Sequence, residues 1–180
     1  MAYDIVFDVT DFERSLSELI NRLEHRAPLM KMLSHAMWDA VEENFSQQGR
    51  PAWMGWSPKY AMRRGPGQIL QRSGRLASSI MPYSDNDSAT VGTNVVYAAI
   101  HNNGGVIDIP ARSQRAYYRV DKAGNLDNRF SKKSKANYSE WHTIAPYQIK
   151  MPRREFLRLT ESDVESMEKQ AENYFSQIYR

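Results

Sequence analysis

Apolar residues over the first fifty positions change period more than once. Tyr3, Ile5, Phe7 and Val9 alternate with polar or smaller neighbours, the two-residue repeat of a short strand, and Asp11 stands where a helix N-cap is expected. Phe12, Leu16, Leu19, Ile20 and Leu23 then recur at helical spacing and predict a first helix. Ala27-Pro28 resets the chain and puts proline in the first turn of a second, longer helix. Its stripe is Met30, Leu33, Met37, Val41 and Phe45, with Leu29, Ala36 and Ala40 beside it and Gly49 as the stop.

From Gly49 to Gly67 the density of Gly, Pro, Trp and Arg breaks all periodicity, leaving room for one turn of helix around Pro58 to Arg64. Gln68 to Leu76 is expected to be helical. Ser79 to Tyr83 and Thr90 to Tyr97 have strand character, joined by a hairpin connection at Ser84-Asp85-Asn86-Asp87. Val106 to Ile109, Ala116 to Val120 and Thr143 to Lys150 read as further strands, with a turn at Asp121 to Asn125. Near the end, Thr160 with Asp163, or Ser162 with Glu165, caps an amphipathic helix whose buried face is Val164, Met167, Ala171, Tyr174, Phe175 and Ile178. The sum is one α+β domain over residues 1–180: a central antiparallel sheet packed by a long N-terminal helix and a C-terminal helix. Residues 111–141 form an inserted, extended basic hairpin or β-arm.

Composition narrows the function classes. The 180 residues, 41% hydrophobic and 25% charged, suffice for one folded domain with its own core. The absence of cysteine excludes a disulfide framework, thiolate zinc, iron-sulfur ligation and a cysteine nucleophile. The N-terminus has no basic leader or apolar signal core and the longest apolar run, Val95 to Ile100, is too short to span a bilayer, so a soluble, unexported protein with no membrane contact is expected. A net charge of +3 suits contact with nucleic acid or with an acidic partner.

No reactive constellation emerges. His25, His35, His101 and His142 are scattered without metal-ligand spacing, and Gly104-Gly105 follows His101-Asn102-Asn103 where a metal-dependent nuclease needs further ligands. His101 is expected to end a buried strand, with Gly104 and Gly105 turning the chain. Ser73-Gly74 lacks a nucleophile elbow, and Gly65-Pro66-Gly67 is not a phosphate loop. No catalytic residue, metal or cofactor is expected. Two segments suit binding instead. Trp53 and Trp56 sit beside Arg50, Lys59, Tyr60, Arg63 and Arg64, a mixture that serves either a packing clasp over the core or a partner surface. Arg112, Arg115, Arg119, Lys122, Arg129, Lys132, Lys133 and Lys135 crowd the arm, interleaved with Tyr117, Tyr118 and Phe130, which suits assembly contacts or strand-binding of nucleic acid.

The order of these pieces carries a resemblance. Trp53 and Trp56, Arg63-Arg64, Ile69-Leu70 through Ser73-Gly74 to Ile80, Val91-Gly92-Thr93-Asn94, Tyr97 to Gly105, and Arg154-Glu155-Phe156-Leu157 through Asp163 stand in one register. The segment from Phe45 to Asp163 resembles the virion morphogenesis and tail-completion family of double-stranded DNA phages with contractile tails, the Mu-like group among them. One departure is that a basic-proline-arginine element occurs twice, at Ile109-Pro110-Ala111-Arg112 and at Met151-Pro152-Arg153-Arg154. The resemblance implies a structural assembly protein at the head-tail junction, a tail-completion, neck or connector component rather than an enzyme. It would be made late, in the host cytoplasm, and enter the virion. It also implies a homo-oligomeric ring, six-fold to match a tail tube, with other neck, connector or tail proteins as partners and genomic DNA in the lumen as a second target. Contact residues would then include Trp53, Trp56, Arg63 and Arg64, the arm residues Arg112, Arg115, Tyr117, Tyr118, Arg119, Arg129, Lys132 and Lys133, and Arg153 and Arg154. The rival reading from the residues is a small basic nucleic-acid-binding protein or ribonuclease-like toxin.

Overall fold

The computed structural model describes residues 10–127 and 129–177, so the strand expected over Tyr3 to Val9, and Ile178, lie outside the described residues. The fold is α+β, and its strands form three two-stranded antiparallel ladders. The chain divides into two compact units: the residues up to Asn103 together with those from Pro152 onward, and Gly104–Met151 between them.

The first unit is built on α2 (Ala27–Ser46), which follows α1 (Thr10–Glu24). Proline sits in the first turn of α2 as expected, but Arg26 at its N-cap offers no side-chain acceptor. Asn86 replaces it from a distance: its Oδ1 accepts the N–H groups of Arg26 (2.7 Å) and Ala27 (3.2 Å) while its Nδ2 donates to the last turn of α1 at Glu24 O (2.9 Å). Asn86 belongs to the turn between β1 (Met81–Ser84) and β2 (Ala89–Gly92), so one amide ties this hairpin to both helix ends. Asp11 lies inside α1 rather than capping it.

Val41 and Phe45 of α2 meet Leu76, Ile80, Val95, Ala98 and Phe156 in one buried cluster, with Trp38, Trp53, Leu70 and Leu157 packed around it. The C-terminal half of the predicted α2 stripe is therefore fully buried, while Met30, Leu33 and Met37 are half-buried. The helix expected over Gln68 to Leu76 does not form. Gly67 and Gly74 take positive φ, Leu70 does so too (62°), and the backbone is held by side chains instead: Gln48 Oε1 accepts from Ile69 N (3.2 Å) and Gln71 Nε2 donates to Phe45 O (2.8 Å). The second expected strand stops at Gly92, and α4 (Ala98–Asn103) takes over. Val95 and Ala98 are the buried pair there, three apart, whereas Val96 is 97% exposed, so burial follows a helical period and His101 is helical rather than the end of a strand.

Segment 152–160 has no regular structure, yet it runs through the middle of this unit. Phe156 is fully buried; its N–H and that of Leu157 donate to Asn102 Oδ1 (3.1 and 3.0 Å). Asn44, also fully buried, donates to the carbonyls of Phe156 and Arg158, both at 2.8 Å. Arg50 completes the anchor: Nε donates to Asn44 Oδ1 (2.8 Å), Nη1 and Nη2 to the two oxygens of Asp163 (3.0 and 2.9 Å), and Nη2 also to Ala40 O (2.8 Å). Asp163 at the same time closes the capping box with Thr160 that begins α5 (Glu161–Ser176). On α5, Met167, Ala171, Tyr174 and Phe175 are half-buried as predicted, but Val164 points outward and is 39% exposed.

The second unit is one long ribbon in two ladders. β3 (Gly105–Ile109) pairs with β6 (Tyr147–Met151), and β4 (Arg112–Tyr118) pairs with β5 (Tyr138–Ile144). Partner numbers fall by one for each residue gained through both ladders, and the same count sets Pro110 opposite Pro146 and Ala111 opposite Ala145. Neither proline has an N–H to give, so the ladder is broken at that rung while its register carries through.

We predict that Asp163→Ala lowers unfolding free energy by about 3 kcal/mol and Asn44→Ala by about 2 kcal/mol, because each leaves a desolvated donor or charge unpaired. Urea denaturation followed by circular dichroism measures both; losses below about 0.5 kcal/mol in the two variants would mean the anchor is dispensable.

Candidate functional site

Two tryptophans of one loop turn opposite ways. Trp53 is half-buried, edge-on to the Phe45 ring at 5.7 Å, and its Nε1 donates to Glu155 O at 3.2 Å, so it clasps the core. Gly49 permits that approach: its φ is 104°, and a Cβ there would lie 2.5 Å from the Trp53 ring. Trp56 instead meets Tyr60 of α3 (Pro58–Arg64) edge-on at 5.8 Å. The Arg64 guanidinium lies 5.4 Å from the Trp56 ring centre and that of Arg63 5.7 Å from Tyr60. With Met62 88% exposed beside them, α3 offers an aromatic and cationic surface held in place by its own stacking.

The late arginines also divide. Arg153 is exposed and pairs with Glu155 at 2.5 Å. Arg154 is only 7% exposed, its Nε donating to Met54 O (2.9 Å) and Nη2 to Gly55 O (3.1 Å), and its side chain fixes the loop from inside. Burial holds the Arg154 pKa below the ordinary arginine value, against the opposing pull of Tyr60. The Arg154 N–H donates to His101 O at 2.9 Å. The His101 ring stands edge-on to Tyr97 at 5.9 Å with Nδ1 enclosed and unpartnered; burial first, and the Arg154 charge second, keep its pKa below the usual histidine value. Gly104 and Gly105, both at positive φ (69° and 149°), carry the chain out of α4 into β3.

On the ribbon, Ala116 is buried and Tyr118 anchors a cluster with Phe130 (5.5 Å), Tyr138 (6.4 Å) and His142, whose Nε2 lies 3.0 Å from the Tyr118 hydroxyl. Asn137 closes the tip by bonding both the N–H and the C=O of Val120 at 2.7 Å. Arg115 and Trp141 are cross-strand partners on the opposite face from Ala116 and Tyr118, guanidinium and ring centre 5.8 Å apart, with Trp141 65% exposed. Tyr117 is half-buried, and Arg112, Arg119, Arg129, Lys132 and Lys133 are exposed.

The four histidines occupy separate settings: His25 and His35 each sit beside the carbonyl four residues back, at 3.1 and 2.9 Å. Among the described residues no group of three His, Cys, Asp or Glu side chains is placed to hold a metal ion. Sequence reasoning missed the four polar side chains that hold the frame, Asn44, Arg50, Asn86 and Asn102; the one available signal was Arg50 lying next to a turn glycine at a helix end.

The sequence model of the Phage virion morphogenesis family matches residues 7–176, spanning both Arg50 and its partner Asp163. The chain belongs to the phage virion morphogenesis family. It is 40% identical over 120 residues to "Mu-like prophage FluMu G protein 2" of Haemophilus influenzae, covering 63% of this chain and 83% of that one. It is 31% identical over 137 residues to "Putative capsid assembly protein G" of Escherichia phage Mu, covering 69% and 87%. No solved structure matches. In this morphogenesis protein, then, much of what carries the resemblance is frame: Trp53, Asn102, Arg154, Phe156 and Asp163 bond or pack inward, while the arm's cations face solvent.

His101 gives the morphogenesis protein a specific acid sensitivity. Its folded pKa lies below 6.5, so the unfolded chain binds the proton first; stability is full above about pH 6.5 and falls as pH drops through the folded pKa. Asp163 acts in the same direction lower down: burial works to raise its pKa, but the hydrogen bonds from Arg50 and Thr160 prevail and hold it below 3.8. We predict that His101→Gln flattens the upper limb, the loss of stability that sets in as pH falls below about 6.5, and leaves the lower one. Thermal melts across pH check this; an unchanged slope in the upper limb would remove His101 from the account.

Proposed function

We propose that this morphogenesis protein acts by binding, not catalysis, at the head-tail junction, as a tail-completion, neck or connector component that works as a homo-oligomeric ring of six-fold symmetry. The observation that carries the reading is the pairing of a heavily cross-linked first unit with a ribbon whose arginines, lysines and Trp141 are exposed. Family membership supports the assembly role, and the name of the phage Mu relative concerns capsid assembly. A joint between capsid and tail is a place where an assembly factor touches both.

In this reading Trp56, Arg63, Arg64 and the arm from Arg112 to Lys133 contact neighbouring subunits or other neck, connector or tail proteins, and DNA in the lumen is a second target of the arm. Assembly takes place in the host cytoplasm and the protein enters the virion. Trp53 and Arg154 serve the frame. The nucleic-acid reading draws on the Arg115–Trp141 pair, a guanidinium beside an exposed ring that suits base stacking. A ribonuclease has less support, since the enclosed Nδ1 of His101 has no hydrogen-bond partner among the described residues.

Interrupting the reading frame in its phage, with complementation in trans, is the test. We predict filled heads that accumulate apart from tails in electron micrographs of lysates, with tail length reporting any fault in the tail end itself. Normal infectious particles would sink the assembly reading.

A further inference from the structure

We propose that the basic arm of one copy docks on the acidic outer stripe of α5 in a second copy, a head-to-tail contact repeated from subunit to subunit. This rests on the oligomer reading above and adds the two surfaces that meet. Charge is divided unevenly along the chain. Gly104–Met151 carries nine lysines and arginines against four acidic residues, a net +5, while the remainder carries fifteen against seventeen, a net −2. Every ion pair among the described residues joins groups outside the arm, so Arg112, Arg115 and Arg119 have no carboxylate partner.

The complementary surface is a helix face. Glu161, Glu165, Glu168 and Glu172 recur at intervals of four, three and four, all exposed and none in an ion pair among the described residues. Asp163, Met167, Ala171 and Tyr174, half-buried, lie on the other side of α5, so the helix packs by one face and presents the four carboxylates, with Lys169 beside Glu165 and Glu172, on the other, a net −3. Like charges at these spacings work against the helix that carries them, and an external row of cations relieves that repulsion. The dimensions are comparable: eleven steps of helix from Glu161 to Glu172 rise about 16 Å, and β4 from Arg112 to Tyr118 reaches about 20 Å, with Arg115 on the Trp141 face of the ribbon and Arg112 on the other. Each surface also has an apolar contact to give, Trp141 at 65% exposure beside Arg115 and Val164 at 39% beside Glu161, Glu165 and Glu168. Exposed Trp with Arg is the composition of an interface hot spot.

Charge excludes arm against arm and stripe against stripe, like against like. A two-fold pair can cross arm and stripe reciprocally, but it closes at two copies, so the ring proposed above requires the other form. A head-to-tail arrangement sets opposite against opposite and generates a ring where the rotation closes. A DNA polyanion would satisfy the arm equally but would leave the α5 stripe unmatched, which favours a second copy.

The test is sedimentation of the purified full chain at low and moderate salt, with R112E/R115E/R119E, E165K/E168K/E172K, and all six changes together; circular dichroism melts confirm that each folds. We predict that the wild type self-associates in a salt-sensitive manner, that each triple reversal weakens association about tenfold or more, and that the sixfold charge swap restores it. A folded sixfold variant that stays monomeric overturns the contact, as does a wild type monomeric at every concentration. So does unchanged self-association of the arm variant with loss of binding to a short DNA duplex by fluorescence anisotropy, which makes nucleic acid the arm's partner. None of these failures touches the lysate experiment, which tests the assembly role by itself.

Discussion

The guanidinium of Arg50 is the constraint on which the first unit turns. It stands just past the end of α2 and bonds at once to α2 itself, through Ala40 and Asn44, and to both oxygens of Asp163 at the start of α5. Two parallel charge-assisted bonds to one carboxylate fix direction as well as distance, which a lysine could not do. Both side chains are 17% exposed, so the pair is shielded enough for its loss to be costly and close enough to solvent that its desolvation is partial. Through Asn44 the same network reaches the carbonyls of Phe156 and Arg158, and one cluster therefore joins a helix end, a helix start and the irregular chain between.

That cluster matters because the first unit is interrupted. Forty-eight residues, 104–151, leave it and return, and the length-dependent entropy of closing a flexible loop of that size is about 3.5 kcal/mol. The paired strands of the ribbon reduce this figure by bringing the two ends together. What remains is offset by hydrogen bonds worth roughly 1 kcal/mol each: Asn102 to Phe156 and Leu157, Arg154 to Met54 and Gly55, Trp53 to Glu155, Asn44 to Phe156 and Arg158. Phe156, fully buried, adds the apolar term. The returning strand is thus tied down over a few residues, and the ribbon can vary in length or sequence without the frame having to change.

Legibility followed the physics of each element. α2, α5 and the β1–β2 hairpin could be read because proline position, capping residues and turn residues are local signals, and Thr160 with Asp163 does form the capping box expected of it. The helix expected over Gln68 to Leu76 does not form because Gln48 and Gln71 hold that stretch by side chain, a long-range arrangement that no local signal records. His101 was assigned to a strand because Val95 to Ile100 looks uniformly apolar, and only burial distinguishes Val95 and Ala98, inside, from Val96, outside. The basic arm was visible as a charge bias, yet its true extent depended on strand pairing across more than forty residues. The acidic stripe of α5 was legible in principle from its four-three-four spacing and was passed over because carboxylates on an amphipathic helix are the ordinary way to face water.

The doubled basic-proline-arginine element finds a physical reading in the register of the ribbon. Its first copy, at Pro110, falls within the ribbon opposite Pro146, at the rung where the ladder has no donor on either strand; its second, at Pro152, follows the last paired residue and opens the segment that re-enters the frame. Short of the proline rung the odd-numbered face carries Ile107, Ile109, Tyr147 and Ile149, while the even-numbered one carries the exposed Val106 among Asp108, Gln148 and Lys150; beyond the rung the packed side chains are Ala116, Tyr118, His142 and Ile144 on the even-numbered face. A ribbon whose apolar face changes sides across a hydrogen-bond gap cannot lie flat on one surface, and two strands alone are only marginally stable in water. The half of the ribbon beyond the rung meets this by folding its own tip back, with Phe130 and Tyr138 around Tyr118. That self-packing uses one face and leaves the Arg115 and Trp141 face free, which is how a thin arm can be ordered before it has anything to bind.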